Sequence, residues 1–120
     1  MTELFIADAT LRFDGKQTEQ GPSFREKLEI AKALDRLRLY GIELPALRGE
    51  KADALLVKSI ALSVRRSRLI LPAGLTREGV DAAWAALREA ERPCLQIAVP
   101  TSTVQMEYLC HRKPAKVLEL

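Results

Sequence analysis

The chain has 120 residues, of which 48% are hydrophobic and 29% are charged, with a formal net charge of +3. This length and balance fit one folded domain with a modest core and exclude a disordered polypeptide. No apolar run approaches the roughly 20 residues that a membrane-spanning helix needs. The first ten residues, MTELFIADAT, have no basic start and carry acidic residues in and after their apolar run. We therefore expect no signal peptide and a cytoplasmic protein.

Polar residues follow the first predicted strand, which lies within residues 4–17, LFIADATLRFDGKQ. The segment carries a carboxylate, a guanidinium and an amide close together, on Asp8, Thr10, Arg12, Asp14 and Gln17. Parallel α/β sheets bind ligands at the carboxyl ends of their strands, so this pattern is typical of a binding site. The same residue types are also ordinary turn residues, and chemistry alone leaves both interpretations open.

The segment after this loop predicts a helix and then a strand. Ser23 and Glu26 form a capping-box pattern ahead of FREKLEIAKALDRLRL, in which apolar residues recur at spacings of three and four. Residues 40–44 then predict a short strand that Pro45 ends, with Glu43 near its carboxyl end.

The rest of the chain repeats the same alternation. Residues 52–64 predict a second helix, and residues 69–71 predict a strand that is continuously apolar and therefore covered on both faces. Thr76 caps a third predicted helix, whose apolar stripe includes Trp84 as a core-packing side chain. Residues 94–99 predict a fourth strand, and two short helical patches follow around residues 104–108 and after Pro114.

The cysteines and the basic clusters predict little chemistry. Cys94 and Cys110 do not suggest a disulfide in a reducing compartment, and with His111 they form no metal-ligand pattern. We interpret Cys94 as a small buried side chain. Cations cluster in residues 65–68 and 112–116, but aromatic residues make up 5% of the chain and are not interleaved with them. We therefore do not expect nucleic-acid binding.

The alternating order βαβαβαβα predicts an α/β domain over residues 1–120, with a parallel sheet and right-handed crossovers. No GxGxxG follows the first strand and no GxxxxGK[ST] is present, so neither a dinucleotide site nor a P-loop is indicated.

A family resemblance makes the first segment more specific. IADATLRFDGKQ, followed by SFREKLEIAKALDRL, resembles the start of the pyruvate carboxyltransferase-like metal-dependent barrel enzymes, where a strand runs into D-x-T-L-R-[DE]-G-x-Q. This group includes homocitrate synthase, isopropylmalate synthase, citramalate synthase and hydroxymethylglutaryl-CoA lyase. Ile42-Glu43 is similar to the family's I-E-x-G-x-P, and TSTVQMEYLCHRKPAKVLE resembles the segment after its fourth strand. The resemblance covers essentially the whole chain.

The resemblance implies roles for several residues. Arg12 matches the family arginine that polarises the carbonyl of a 2-oxo acid and stabilises the developing alkoxide. In the family a metal-binding carboxylate directly follows that arginine, whereas here Phe13 takes that place and Asp14 comes one residue later. The resemblance makes Asp14 the candidate metal ligand. The implied substrate-binding residues are Gln17, Glu43, Thr101 and Ser102.

The resemblance also implies a fold and an activity. A closed (β/α)₈ barrel takes about 250 residues, so four βα units resemble half a barrel; the alternative is a flattened, open, flavodoxin-like three-layer sheet. The implied reaction condenses acetyl-CoA with a 2-oxo acid and uses a divalent metal such as Mg²⁺, Mn²⁺ or Zn²⁺. The family's H-x-H metal pair lies in its later half, and this sequence contains no such pair.

We therefore expect a half-barrel that is inactive alone. A second copy or a complementary half-barrel chain would complete it, or the chain is a piece of a longer gene product, and the sequence does not choose between these options. The alternative is a non-catalytic oligomerising scaffold or binding module derived from the same family. The sequence does not favour one 2-oxo acid over another.

Overall fold

The computed structural model describes residues 2–13 and 21–120. Within this part of the chain, strands and helices alternate as the sequence predicts, and two short helices follow the last strand. The elements are β1 Ala7–Asp8, α1 Phe24–Arg36, β2 Gly41–Glu43, α2 Lys51–Ser63, β3 Arg68–Ala73, α3 Arg77–Leu87, β4 Pro93–Ile97, α4 Thr103–Tyr108 and α5 Pro114–Leu118. None of the helices in the described ranges has the length and apolar character needed to cross a membrane.

The four strands form one parallel sheet in the order β1-β2-β3-β4. Each strand lies beside the next strand in sequence, as in a barrel, and the chain does not reverse direction across the sheet as it does in a doubly wound fold. The helices α1, α2 and α3 pack against one another in series. The sheet is open, and its order matches part of a (β/α)₈ barrel. The predicted α/β class is therefore confirmed.

The two faces of the sheet differ in burial. Ile42, Leu44, Leu69 and Leu71 are almost fully buried, because they alternate onto the face that the helices cover. Ile70 points to the other face and is only partly buried. The prediction that the third strand is covered on both faces is therefore wrong. In a barrel, the strand face that the helices do not cover is packed by side chains from the other strands, so it is also apolar. A continuous apolar run therefore does not show which structure covers each face of the strand.

Side-chain caps fix where the helices begin. The Ser23 hydroxyl accepts a hydrogen bond from the backbone N–H of Glu26, and the Glu26 carboxylate accepts one from the backbone N–H of Ser23. This is the predicted capping box. The Thr76 hydroxyl accepts from the backbone N–H of Gly79 and caps α3 in the same way. Each cap satisfies a backbone donor that the helix leaves unpaired.

Trp84 does not pack into the core as predicted, since 48% of its surface is exposed. The side chains of α3 that are buried are Ala83, Ala86 and Leu87. Adjacent residues on a helix point about 100° apart, so burying Ala83 turns Trp84 to the edge of the packed stripe. Small alanine side chains also let α3 pack close to its neighbours, and the space between them is too small for the indole ring of Trp84. Cys94 is likewise only partly buried.

Apolar side chains stay exposed at both edge strands of the sheet. Leu4, Phe5 and Ile6 lie just before β1 and are 80%, 60% and 55% exposed. At the other edge, Ile97 ends β4 and Val99 follows it, and they are 52% and 55% exposed. Neither edge has a strand partner among the described residues. Apolar residues on open edges are typical of surfaces that another polypeptide covers.

Candidate functional site

Arg12 is held in a turn directly after β1. The backbone N–H groups of Arg12 and Phe13 both donate to the carbonyl of Ala9, at 3.1 and 3.3 Å. Leu11 is 1% exposed and anchors this turn in the core. The backbone N–H of Thr10 donates to an Asp8 carboxylate oxygen at 2.9 Å. These bonds close the turn, which places the Arg12 side chain at the carboxyl end of the sheet.

The Arg12 guanidinium binds side chains from two other strands. Its Nη1 donates to Glu43 Oε2 at 2.9 Å and to Gln96 Oε1 at 3.1 Å. Glu43 ends β2 and Gln96 lies in β4, so the contact joins residues far apart in sequence. The Arg12 and Glu43 side chains are 34% and 23% exposed. A partly buried ion pair with a second hydrogen bond fixes the guanidinium more firmly than an exposed pair does.

This arrangement leaves part of the guanidinium available to a ligand. Arginine carries five N–H donors, and the two bonds to Glu43 and Gln96 both come from Nη1. Among the described residues, Nη2 and Nε have no hydrogen-bond acceptor. The Phe13 ring lies beside the guanidinium, with Cζ at 5.8 Å from the ring centroid, and is 76% exposed. The site therefore presents oriented cationic donors next to an exposed aromatic surface.

The structure brings two of the predicted residues, Arg12 and Glu43, into direct contact. It adds Gln96, which the sequence reasoning missed. An amide in the otherwise apolar strand PCLQI was the available signal, because a polar residue there has to meet a partner on one face of the sheet.

The remaining predicted residues are not joined to this contact. The Ser102 hydroxyl accepts from the backbone N–H of Gln105 at 3.1 Å and caps α4, and Thr101 is exposed beside it. Among the described residues, neither hydroxyl bonds to Arg12, Glu43 or Gln96. Asp14 and Gln17 lie outside the described residues.

The described residues do not fit the divalent ion that the resemblance implies. In the described ranges, no three His, Cys, Asp or Glu side chains lie close enough together to hold a metal ion. At this end of the sheet, one oxygen of Glu43 already accepts from Arg12, and one oxygen of Asp8 accepts from the backbone N–H of Thr10. A hard divalent cation needs several oxygen ligands, and a carboxylate paired with a guanidinium is a poor start for such a set.

A second organised charge lies at the amino ends of the strands. The nearly buried Asp35 accepts from the backbone N–H groups of Arg65, Arg66 and Ser67 at 3.0, 3.1 and 2.8 Å. Burial alone raises the pKa of Asp35, but the backbone hydrogen bonds from Arg65, Ser67 and Arg66 together outweigh it. The pKa of Asp35 therefore lies below its ordinary value of 3.8. This carboxylate ties the end of α1 to the loop before β3.

Comparisons with known proteins agree with the fold. A family model described as HMGL-like matches residues 3–120. The 2-isopropylmalate synthase of Halalkalibacterium halodurans is 37% identical over 120 residues, which is 99% of this chain and 23% of that protein. The enzymes of the same name from Oceanobacillus iheyensis and Clostridium kluyveri are 36% and 34% identical and show the same 23% coverage. The chain thus spans about a quarter of the length of the curated relatives it matches.

Proposed function

The chain belongs to the HMGL-like family, and from that premise we propose that it forms the 2-oxo-acid-binding part of an acyltransferase site of the 2-isopropylmalate synthase kind. The observation that supports this proposal is the Arg12 guanidinium at the carboxyl ends of the strands. Glu43 and Gln96 hold it at one nitrogen and leave its other donors available. Names of the relatives guide the choice of substrate class.

The proposed reaction adds the carbanion of an acetyl thioester to the carbonyl carbon of a 2-oxo acid. A carbon–carbon bond forms, the carbonyl π electrons move onto oxygen, and the oxygen becomes an alkoxide that later takes a proton. Water then cleaves the thioester, which releases the thiol and leaves a second carboxylate. For a 2-isopropylmalate product, the matching 2-oxo acid is 3-methyl-2-oxobutanoate, obtained by removing the two-carbon unit.

Arg12 suits the charge that develops in this reaction. Its free N–H donors can bind the carboxylate and the carbonyl oxygen of a 2-oxo acid, and the bond to the carbonyl oxygen strengthens as negative charge forms there. Glu43 and Gln96 act as positioning residues, because they hold the guanidinium in place before the substrate arrives. Gln17, Thr101 and Ser102 remain proposed substrate contacts, and Asp14 remains a proposed metal ligand.

Calorimetric titration of 3-methyl-2-oxobutanoate tests the role of Arg12. Arg12→Lys keeps the positive charge but loses the planar fork, so we expect it to weaken binding by about tenfold. Arg88→Gln removes an exposed charge from the end of α3 and serves as the matched control, with binding unchanged. Equal affinity of the native chain and Arg12→Lys would contradict the proposal, as would an equal loss in Arg88→Gln.

We further propose that a second copy of the chain completes the barrel. The described residues supply four strands with two apolar edges, and eight strands close a barrel of this type. If β4 of one copy pairs with β1 of the other, a two-fold axis repeats the same contact and leaves no open edge. Pairing would cover Ile97 and Val99 at the β4 edge, which are otherwise exposed.

Sedimentation analysis of the native chain and two variants tests this assembly. The expected mass is twice that of the 13.4 kDa chain. Ile97→Lys places a charge on the β4 edge and should give a monomer, because edge lysines oppose strand pairing. Leu62→Lys changes an apolar residue on α2 that is 63% exposed, and should leave the dimer intact. A monomeric native chain would rule out the composite barrel.

The second candidate function is a non-catalytic oligomerising scaffold or binding module. The observation that favours it is Phe13, which stands directly after Arg12 with 76% of its surface exposed. An exposed aromatic side chain at this place is better suited to a contact with another polypeptide than to a contact with a polar substrate. A dimer that fails to bind the oxo acid in the calorimetric experiment would favour this function over the acyltransferase site.

A further inference from the structure

A cavity of about 690 Å³ opens at the amino ends of the strands, at the opposite end of the sheet from Arg12. Its lining comes from the segments that lead into β1 and β2 and from the residues just before β3 and β4. These residues are Leu4, Phe5, Ile6, Leu37, Arg38, Leu39, Tyr40, Arg66 and Arg92. The cavity thus combines an apolar wall with three arginines, and Arg12, Glu43 and Gln96 of the proposed acyltransferase site do not line it.

The positive charge of this cavity is not compensated locally. Neither Arg38, Arg66 nor Arg92 forms an ion pair with any described residue. Asp35 and Glu91, which lie close in sequence to Arg38 and Arg92, are engaged elsewhere. Asp35 accepts three backbone N–H groups, and Glu91 lies 3.6 Å from Arg65. An anion entering the cavity would therefore meet guanidinium groups that form no ion pair with a carboxylate of the described residues.

Two of the arginines are held on a fixed framework. Asp35 binds the backbone N–H of Arg66, and its backbone carbonyl accepts from the backbone N–H of Arg38 at 3.0 Å. Arg92 Nη1 donates to the backbone carbonyl of Arg66 at 3.1 Å. Asp35 therefore organises the backbone segments that carry Arg38 and Arg66, and the hydrogen bond from Arg92 joins the third arginine to them. Preorganised donors lower the entropy that a ligand loses on binding.

Arg38 occupies a backbone conformation that does not favour an arginine. Its φ is 53°, in the left-handed region that glycine adopts easily. Other L residues lose roughly 1–2 kcal/mol there. A strained residue that brings an unpaired charge to a cavity is an observation from which a binding role can be inferred. Glycine would end α1 with less strain but would remove this charge.

The apolar wall restricts the kind of anion that fits. Phe5 and Tyr40 pack edge to face, with ring centroids 5.0 Å apart, and Leu4 and Ile6 extend the apolar surface. The arginine fork matches the oxygens of a phosphate group in shape and charge. We propose that this cavity binds a small organic phosphate whose apolar or aromatic body rests against the Phe5–Tyr40 wall.

Phenyl phosphate is a suitable probe, followed by amide chemical-shift changes in the full chain. At pH 8 and low salt it carries two negative charges and an aromatic ring, and inorganic phosphate and phenol separate these two contributions. We expect saturable shifts at residues 38–40 and 66–67, with inorganic phosphate binding at least tenfold more weakly and phenol causing no saturable change. The site at Arg12 should remain unshifted.

Arg38→Gly is the decisive variant, because it removes the charge and relieves the strain at the same position. We expect it to fold at least as stably as the native chain and to bind phenyl phosphate about tenfold more weakly, as for the loss of one charge-assisted hydrogen bond. Arg77→Gln, at the start of α3 near the carboxyl ends of the strands, is the matched control and should bind normally.

Three results would overturn the proposal. The first is unchanged affinity in Arg38→Gly, and the second is a shift pattern centred on Arg12. The third is tighter, steeply salt-dependent binding of an oligothymidylate, which would indicate a nucleic-acid surface.

Discussion

The two ends of the sheet use arginine in opposite ways. At the carboxyl ends, Arg12 is paired with Glu43 and Gln96 and sits in a relaxed turn. At the amino ends, Arg38 has no acidic partner among the described residues and lies in a left-handed conformation. A paired guanidinium is oriented but partly neutralised, so it suits a reaction in which negative charge develops on the substrate only in the transition state. An unpaired one keeps its full charge, so it suits ligands that are already anionic.

The two ends also differ in what holds them in place. The Arg12 contact joins three side chains across the open inner face, whereas the amino-end cavity depends on backbone groups gathered by Asp35. Backbone acceptors and donors move less than long side chains do. We therefore expect loss of Asp35 at the amino end to change the free energy of unfolding, and loss of Arg12 at the carboxyl end to change mainly ligand binding.

Asp35→Ala should give the largest loss of stability. It removes the acceptor of three backbone N–H groups, one of them buried on Ser67, and leaves those donors unsatisfied. We expect the free energy of unfolding to fall by about 3 kcal/mol at pH 7, measured by chemical denaturation. Asp81→Ala, an exposed aspartate on α3, is the matched control and should change it by less than about 0.5 kcal/mol. Similar losses in both variants would contradict the role given to Asp35.

The same carboxylate should make stability depend on pH. The pKa of Asp35 is lower in the folded chain than in the unfolded chain, so its contribution is complete above the ordinary value of 3.8 and is lost as pH falls through the lower folded pKa. Unfolding curves recorded from pH 6 down to pH 2 should therefore show a smaller pH dependence in Asp35→Asn than in the native chain. Parallel curves would contradict this assignment.

A double-mutant cycle measures the carboxyl-end contact. Arg12→Met and Glu43→Gln, made separately and together, should give a coupling free energy of about 1 kcal/mol at low salt, because the pair is only partly buried. The exposed pair Lys32–Glu29 on α1 is the comparison, and its expected coupling is weaker because solvent screens both charges. Equal coupling in the two pairs would mean that burial does not strengthen the Arg12 contact.

The smallest expected effect is a gain in stability. Arg38→Gly relieves roughly 1–2 kcal/mol of left-handed strain and loses about 0.5–1 kcal/mol through the greater freedom of glycine in the unfolded chain. The free energy of unfolding should therefore rise by about 0.5–1 kcal/mol. Arg36→Gly, inside the last turn of α1, should lower it instead. A loss in Arg38→Gly would show that the arginine stabilises the fold.

Much of the fold followed from local patterns in the sequence. Alternating strands and helices gave the parallel sheet, and the caps at Ser23 and Thr76 fixed two helix starts, because such signals lie within four residues of each other. The exposure of Trp84 could not be predicted. The helix is rich in alanine, so a buried stripe displaced by one residue fits the sequence equally well and turns Trp84 out of the core. The cover of the third strand also escaped prediction, because it depends on curvature of the whole sheet.

The candidate site was predicted only in part, for a similar reason. Arg12 and Glu43 were found through motifs, whereas Gln96 joins them from 84 residues away and belongs to no motif. The amino-end cavity left even less trace. Its arginines lie in three separate loops. The register of the strands, the hydrogen bonds of Asp35 and the bond from Arg92 to the Arg66 carbonyl bring those loops together.

The most direct test of the difference between the two ends is a titration that resolves the arginine side-chain Nε–H signals. Adding 3-methyl-2-oxobutanoate should shift the Arg12 signal saturably, while the signals of Arg38, Arg66 and Arg92 change little. A shift of the amino-end arginines with an unchanged Arg12 signal would contradict the account, because the oxo acid would then bind at the wrong end of the sheet.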